Sequence, residues 1–353
     1  MKILFTTHQG NLAGSTLSLI YLARGLADKG HEVHLACRKG VLVEKELLNH
    51  VNITIHHIPF KSYLDFNACL KLQRVIKQHQ IQVLNAQGGK DRNLTILSKW
   101  IFGLNVKLVF TRRQRPRNEP WIKRWFHTIS TEQIIMISEG LKAIFVEKGY
   151  NPNHLKVIRN GVPNDLADRV NDTDVNKLRQ KLNLEGKIVI GCLARLKSQK
   201  QVVEALQFLP SDYVVLFVGI SESELNQQQI RQRLIFTGQV EHLQALHYLK
   251  LMTVNILPSY LDGFGLVLVE SMLLGVPVIG SRFGGIPDVI RGGENGFLFE
   301  NGNVQDLTEK IIKLVEDRDL RESFVENGLQ IEKDQFSLSR VVREYERLFE
   351  SLI

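Results

Sequence analysis

The chain changes hydrophobic period again and again, and this alternation constrains its fold more than any other feature. "MKILFTT" is an apolar run of strand length. "TLSLIYLARGLADKG" follows with apolar residues at helical spacing, Gly30 stands where a helix C-cap belongs, and "HEVHLAC" is strand-like again. "VNITIHHIPF", "IQVLNAQ", "VKLVFTRR" and "QIIMIS" continue the series, separated by amphipathic segments such as "FNACLKLQRVIKQHQ". After a polar stretch, "GVPNDLADRVNDTDVNKL", the pattern restarts with "KIVIGCLAR", "YVVLFVG", "LIFTGQV", "VNILPS" and "PVIGS". Short apolar strands alternating with helices imply a parallel sheet with helices on both faces. Two such series in 353 residues predict an α/β chain of two Rossmann-like, doubly wound domains facing a central cleft. The expected division is 1–165 and 166–337, with the polar stretch as linker. The amphipathic "SLSRVVREYERLFESLI" supplies a last helix, over 338–353, that packs back on the first domain.

Composition removes several classes. No segment reaches the ~18 uninterrupted apolar residues of a membrane span. The start, "MKILFTTHQGNLAGS", lacks a signal-peptide core, so a cytoplasmic protein is expected. Cys37, Cys69 and Cys192 are isolated and form no CxxC, which reads as idle thiols in a reducing compartment. "DTD" at 172–174 lies in the linker and "DRD" at 317–319 in a polar helical stretch, and neither follows an apolar strand. His56 and His57 sit in a strand-like run, one to each face, so no metal site is expected there. Residues 1–170 hold 25 Lys/Arg against 12 Asp/Glu, a net of +13, whereas 171–353 hold 20 against 25, a net of −5. The basic half points to an anionic surface as partner.

In an open α/β sheet, ligands bind beyond the carboxyl ends of the strands, and the unusual residues of the second half collect there. Asp262 and "GFG" follow "VNILPS", and "LVLVESMLLG" reads as a helix closed by Gly275. Gly263 and Gly265 let backbone approach a ligand, and the helix start offers amides to an anion. Eight helical residues rise roughly 12 Å, so Asp262 and Glu270 are spaced too widely for a retaining glycosidase pair (about 5–5.5 Å). They sit at the edge of the inverting range, about 6.5–9.5 Å. The spacing suits a grip on the two ends of a nucleotide sugar, with helix amides at the diphosphate. Arg195 and Lys200 in "ARLKSQK" follow the strand "KIVIGCL" and are placed to neutralise a departing diphosphate.

On these residues the chain resembles a family 4 retaining glycosyltransferase of the GT-B fold. The Arg-Leu-x3-Lys segment is 195–200, the acid-x7-Glu motif is 262–270, and Gly-Gly-x-Pro-acid is 284–288. "VIRNGV" at 157–162 and "NGFLFENGNVQDL" match further elements, and the likeness spans nearly the whole chain. The resemblance implies that Glu270 binds the ribose and Asp262 the donor sugar. It implies that Gly263, Phe264, Gly265 and Leu266 offer backbone to sugar and phosphate, that Arg195 and Lys200 hold the diphosphate, and that the loop at Gly238–Val240 lies near the base. In "HQGNLAGS", Gly10 and Gly14 would close over the phosphates. The implied donor is a nucleotide-diphosphate sugar, with no cofactor or metal and with front-face displacement. The implied acceptor is a cell-surface glycan or lipid-linked sugar. Two positions depart from the family. Asp262 stands where Glu is usual, and Gln87 where a His is frequent; an amide hydrogen-bonds but does not titrate.

One basic and aromatic segment, "TRRQRPRNEPWIKRWFHTIS", has two readings. Arg112, Arg113, Arg115 and Arg117 beside Trp121, Trp125 and Phe126 fit a contact with anionic membrane or with an acceptor. An ordinary helix with inward tryptophans under a solvated arginine loop fits equally. Another GT-B enzyme, such as a nucleotide-sugar epimerase or a sugar phosphate synthase, is the rival function. An RNA-binding protein using the basic half ranks below it, since no RNA-module motif is present, and no nucleic-acid partner is expected.

Overall fold

Two all-parallel sheets organise the chain. In the computed structural model, residues 1–116, 120–193, 199–225, 230–260 and 262–353 are described. The first sheet holds β1 (Lys2–Thr6), β2 (Glu32–Cys37), β3 (Ile53–His57), β4 (Val83–Ala86), β5 (Lys107–Arg112), β6 (Gln133–Met136) and β7 (Leu155–Val157), in the order β3-β2-β1-β4-β5-β6-β7. The second holds β8 (Val189–Leu193), β9 (Val214–Val218), β10 (Arg233–Phe236), β11 (Val254–Leu257), β12 (Val278–Ser281) and β13 (Phe297–Phe299), in the order β10-β9-β8-β11-β12-β13. Each sheet is the doubly wound Rossmann arrangement. Strand order reverses at β1 in one and at β8 in the other, and the loops leaving β1/β4 and β8/β11 flank a topological switch point.

The chain divides into one unit of Met1–Gly161 with Leu338–Ile353, and another of Val162–Ser337. The central strands are buried on both faces; Ile3, Leu4 and Phe5 of β1 and the whole of β9 are closed to solvent. Within the second unit, Ile190, Phe217, Ile256, Phe299 and Phe324 share one core. The last helix, Leu338–Glu350, belongs to the first unit and buries Val341, Val342, Tyr345 and Phe349. Gly25 makes its seat, because a Cβ there would come within 2.5 Å of Val342 Cγ2. Glu346 finishes the contact by pairing with Lys29 and, at 2.8 Å, with His31 Nε2.

Several local expectations change. β7 and β13, three residues each at one end of either sheet, are too short to show a strand pattern in the sequence. The segment read as linker already contains a helix, Asp172–Lys181. Its Asn171 N-cap accepts from Thr173 N at 2.7 Å, so "DTD" supplies first-turn acids to a helix dipole. "DRD" is likewise a helix start, with Asp317 as N-cap of Arg318–Ile331. All three cysteines are buried and unpaired, and burial pushes the thiols of Cys37 and Cys192 up to about 12. Among the described residues no helix is long and apolar enough to cross a membrane.

Candidate active site

The predicted site residues fall into two groups, one at each switch point. In the second unit, β11 ends at Leu257 and its loop delivers the chain into the helix Leu266–Leu273. Gly265 turns that corner as N-cap with φ +85°, a left-handed conformation that favours glycine and that brings no side chain to cap the helix. Phe264 is buried edge-on against Phe336, with ring centroids 5.6 Å apart, and Leu266 is buried beside it. These side chains anchor the turn, so only their backbone can serve a ligand. Asn255 on β11 stitches the switch point together: its Oδ1 accepts from Leu193 N at 3.4 Å, and its Nδ2 donates to Ser271 Oγ at 2.9 Å.

Glu270, one turn into the helix, is only 4% exposed. Its Oε1 lies 2.8 Å from His242 Nε2, at the start of the helix His242–Lys250. An ionised Glu270 accepts that bond from a protonated Nε2. His242 is a partner that the sequence reading missed, since 28 residues separate the two. Asp262 is half-buried, and its carbonyl accepts from Gly285 N at 3.2 Å. Gly284 has φ +60°, and a Cβ there would strike the Asp262 carbonyl oxygen at 2.4 Å. The Gly-Gly pair thus holds the Asp262 loop in place rather than merely loosening the backbone. Gly263 is half-buried next to it.

Lys200 is the second residue of the helix Gln199–Ala205, with its side chain 86% exposed and Glu204 3.6 Å away. Arg195, the other cation assigned to the diphosphate, lies outside the described residues, as does Arg117. Gly238 (φ +62°) bonds Ile220 O and is bonded by Gly219 N, which ties the loops after β9 and β10 together. Val240 follows, partly buried.

At the other switch point, the loop after β1 carries His8 and Gly10, and the loop after β4 carries Gln87. Gly10 is buried against Val41, whose Cβ and Cγ2 a side chain at position 10 would meet at 2.8 Å. Gly14 begins the helix Gly14–Asp28, exposed. The organising group is Asp91, which the sequence reading did not single out. It is fully buried in the first turn of the helix Gly89–Phe102. Its carboxylate accepts from His8 Nδ1 (2.6 Å), Gly88 N (2.8 Å), Gln87 N (3.0 Å), His8 N (3.2 Å) and Thr6 Oγ1 (3.3 Å). Burial alone would push this carboxyl up. The bond and charge of His8, the Gly88 amide and Arg92 outweigh it and hold the group below the ordinary carboxylate range. Gly88 leaves the space His8 occupies, because a Cβ there would lie 2.3 Å from His8 Nδ1. With Nδ1 fixed, the Nε2 of a ring 20% exposed has no partner among the described residues. The doubled glycine of "AQGGK" was the one available signal.

Gln87 is engaged on both sides. Its Nε2 donates to Asn85 Oδ1, and its Oε1 accepts from Arg113 Nε and Nη2 at 3.2 and 3.0 Å. Arg113 also donates to Asn160 Oδ1 at 2.7 Å. The basic cluster therefore needs correction. Arg112 is buried, with its guanidinium 4.6 Å from the centroid of the Phe145 ring, and Arg113 serves the Gln87 network. β5 runs to Arg112 itself, so its last side chain points into the fold rather than onto a loop. Arg115 is exposed. Inward tryptophans are not what the fold shows either. On the helix Trp121–Ser130, Trp121 is 66% and Trp125 56% exposed, with Ile122 and Ile129 also exposed. Trp100, itself exposed, packs on Phe126 with centroids 5.7 Å apart and extends the apolar face.

Comparisons with known proteins agree on one family. The model described as glycosyl transferases group 1 matches residues 174–331, and that described as glycosyltransferase family 4 matches 13–166. The capsular polysaccharide biosynthesis glycosyltransferase CapM of Staphylococcus aureus is 26% identical over 93% of this chain and 92% of its own. The N-acetyl-alpha-D-glucosaminyl L-malate synthase of Bacillus anthracis is 25% identical over 96% and 94%. Anabaena HepE, solved in complex with UDP-glucose, is 21% identical and shares the fold with a TM-score of 0.85 over the full length of both chains.

Proposed function

We propose, for a chain that belongs to the family 4 and group 1 glycosyltransferases, that this glycosyltransferase moves a sugar from a nucleoside-diphosphate donor to a cell-surface glycan or lipid-linked acceptor with retention of configuration. The observation that carries the donor half is Glu270, a carboxylate 4% exposed in the first turns of an uncapped helix that starts on a left-handed glycine. In this reading Glu270 takes the ribose hydroxyls, and the helix amides and Lys200, with Arg195, meet the diphosphate charge as it develops. Asp262, on the loop held by Gly284 and Gly285, takes the donor sugar. The bond from the anomeric carbon to phosphate breaks, the new carbon–oxygen bond forms on the same face, and the acceptor proton passes to the departing phosphate. These cations and amides make a metal unnecessary for leaving-group departure. On the acceptor side, His8 offers an Nε2 whose orientation Asp91 fixes. The names of the two relatives fit either a polysaccharide or a small hydroxy-acid acceptor; the basic first half favours an anionic acceptor surface.

The test is turnover of the full chain against a panel of nucleoside-diphosphate sugars, chosen first by thermal stabilisation. Acceptor-dependent release of nucleoside diphosphate and a product of unchanged anomeric configuration, insensitive to chelator, support the reading. Donor conversion without acceptor would instead fit an epimerase, and an inverted product would refute retention.

Contact with an anionic membrane belongs to the same proposal, now resting on Trp121, Ile122, Trp125 and Ile129 with Arg115 rather than on four arginines. Interfacial aromatic side chains anchor against hydrocarbon in a way that salt does not screen. Co-sedimentation with anionic vesicles should persist at high salt and fall in a Trp121→Ser, Trp125→Ser double variant. Equal sedimentation of the variant would remove the helix from the contact.

A further inference from the structure

Three histidines meet on one face of the first sheet, away from the residues assigned to transfer. His34 comes from β2, His56 from β3 and His79 from the last residue of the helix Phe66–His79. Their ring centroids are 4.5 Å (34 to 79), 5.1 Å (56 to 79) and 5.2 Å (34 to 56) apart. One nitrogen of each lies within 4.8 Å of the others. His57, on the opposite face of β3, pairs with Glu44 instead, so the strand's alternation selects His56 for the group.

The hydrogen bonds set the chemistry. His34 Nε2 lies 3.0 Å from Glu32 Oε1, while Glu32 Oε2 pairs with Lys2 at 3.6 Å. An ionised carboxylate can only accept, so it holds the proton of neutral His34 on Nε2 and turns the Nδ1 lone pair toward His56 Nε2, 3.0 Å away. A carboxylate behind an imidazole, fixing its tautomer, is the arrangement that orients metal-binding histidines. The third imidazole closes a helix C-terminus, whose carbonyls favour a cation.

We propose that His34, His56 and His79 bind a divalent first-row transition metal, Zn²⁺ foremost. Three imidazoles without thiolate or oxygen ligands suit Zn²⁺, Ni²⁺ or Cu²⁺ and disfavour Mg²⁺ and Ca²⁺. Tetrahedral Zn–N bonds of about 2.0–2.1 Å set the nitrogens roughly 3.3 Å apart, so the His34–His56 pair opens by a few tenths of an ångström as His56 moves its proton to Nδ1. The fourth position is left for water. Such a site clamps the end of the helix Phe66–His79 to β2 and the edge strand β3.

The experiment is calorimetric titration of the chelator-stripped full chain with ZnCl₂, with Co²⁺ absorption as a second probe. One Zn²⁺ per chain and a rise in Tm are expected. His56→Gln and His79→Gln, at half-buried positions that tolerate change better than His34, should each weaken binding about 100-fold or more, and Glu32→Gln about 10–100-fold. His50→Gln, a histidine paired with Asp28 elsewhere in the same unit, should leave binding unchanged. No stoichiometric Zn²⁺ on the wild type would overturn the site, leaving a hydrogen-bonded histidine cluster; so would binding indifferent to both His56→Gln and His79→Gln.

Discussion

The two switch points share a topology and a buried carboxylate paired with a histidine, and they differ in how many further donors that carboxylate meets. At β1/β4 a buried carboxylate is fully answered: Asp91 accepts five bonds, and Gln87 is locked by Arg113 and Asn85. At β8/β11 Glu270 shows one partner among the described residues, His242, beside a helix start whose N-cap, Gly265, has no side-chain cap. In the first arrangement Asp91 and Gln87 are held from several sides, and the His8 Nε2 is left without a partner among the described residues. The second sets a buried acid beside the backbone amides of a helix start, and this contrast is what the proposed donor site rests on.

The comparison can be broken most forcefully at Asp91. Asp91→Asn removes a buried charge from five donors, so it should cost about 3–5 kcal/mol, read as a lower urea midpoint at unchanged slope. Its carboxyl is depressed in the fold, so its stabilisation is complete above the unfolded value near ~4 and is lost as pH falls through the lower folded value. Wild type and variant should converge only in acid. Lys200→Ala should do the reverse: its side chain is exposed, so Tm should hold while turnover falls a hundredfold or more, about 2.7–4 kcal/mol of barrier. Normal transfer by Lys200→Ala would remove it from the diphosphate site.

Gly284→Ala couples stability to the site, because its Cβ overlaps the Asp262 carbonyl and its backbone is left-handed. A loss of about 1–3 kcal/mol with a matching fall in donor affinity is expected from calorimetry and unfolding. A pH effect of its own concerns Glu332, whose Oε1 is buried with no partner among the described residues, and whose carboxyl burial raises to about 7. The fold holds its proton while the unfolded chain has lost it, so stability should fall as pH rises from about 4.5 through 7. Glu332→Gln should flatten that slope in denaturation curves taken across the range.

Legibility in the sequence followed locality. The strand–loop–helix path through Asp262, Gly265 and Glu270 is contiguous, and its apolar periods placed both sheets, except for the three-residue β7 and β13. The Asp91 network gathers residues 6, 8, 87, 88 and 91 through the pairing of β1 with β4, and only the doubled glycine of "AQGGK" hints at it in the chain's order. The arginine cluster failed for a related reason. A run of "RR" at a strand end looks uniform, yet strand alternation sends Arg112 inward over Phe145 and Arg113 toward Gln87. His34, His56 and His79 likewise meet only once β2, β3 and a helix end are assembled.

The central claim is that Glu270 grips the nucleotide while Asp262 serves the sugar. Calorimetry of nucleoside diphosphate, without sugar, on wild type, Glu270→Gln and Asp262→Asn tests it directly. Loss of a charged hydrogen bond to the ribose, about 1.5–3 kcal/mol, predicts roughly ten- to hundredfold weaker binding for Glu270→Gln and near-normal binding for Asp262→Asn. Equal losses in both variants, or unchanged affinity in Glu270→Gln with only its His242 contact disturbed, would contradict the account.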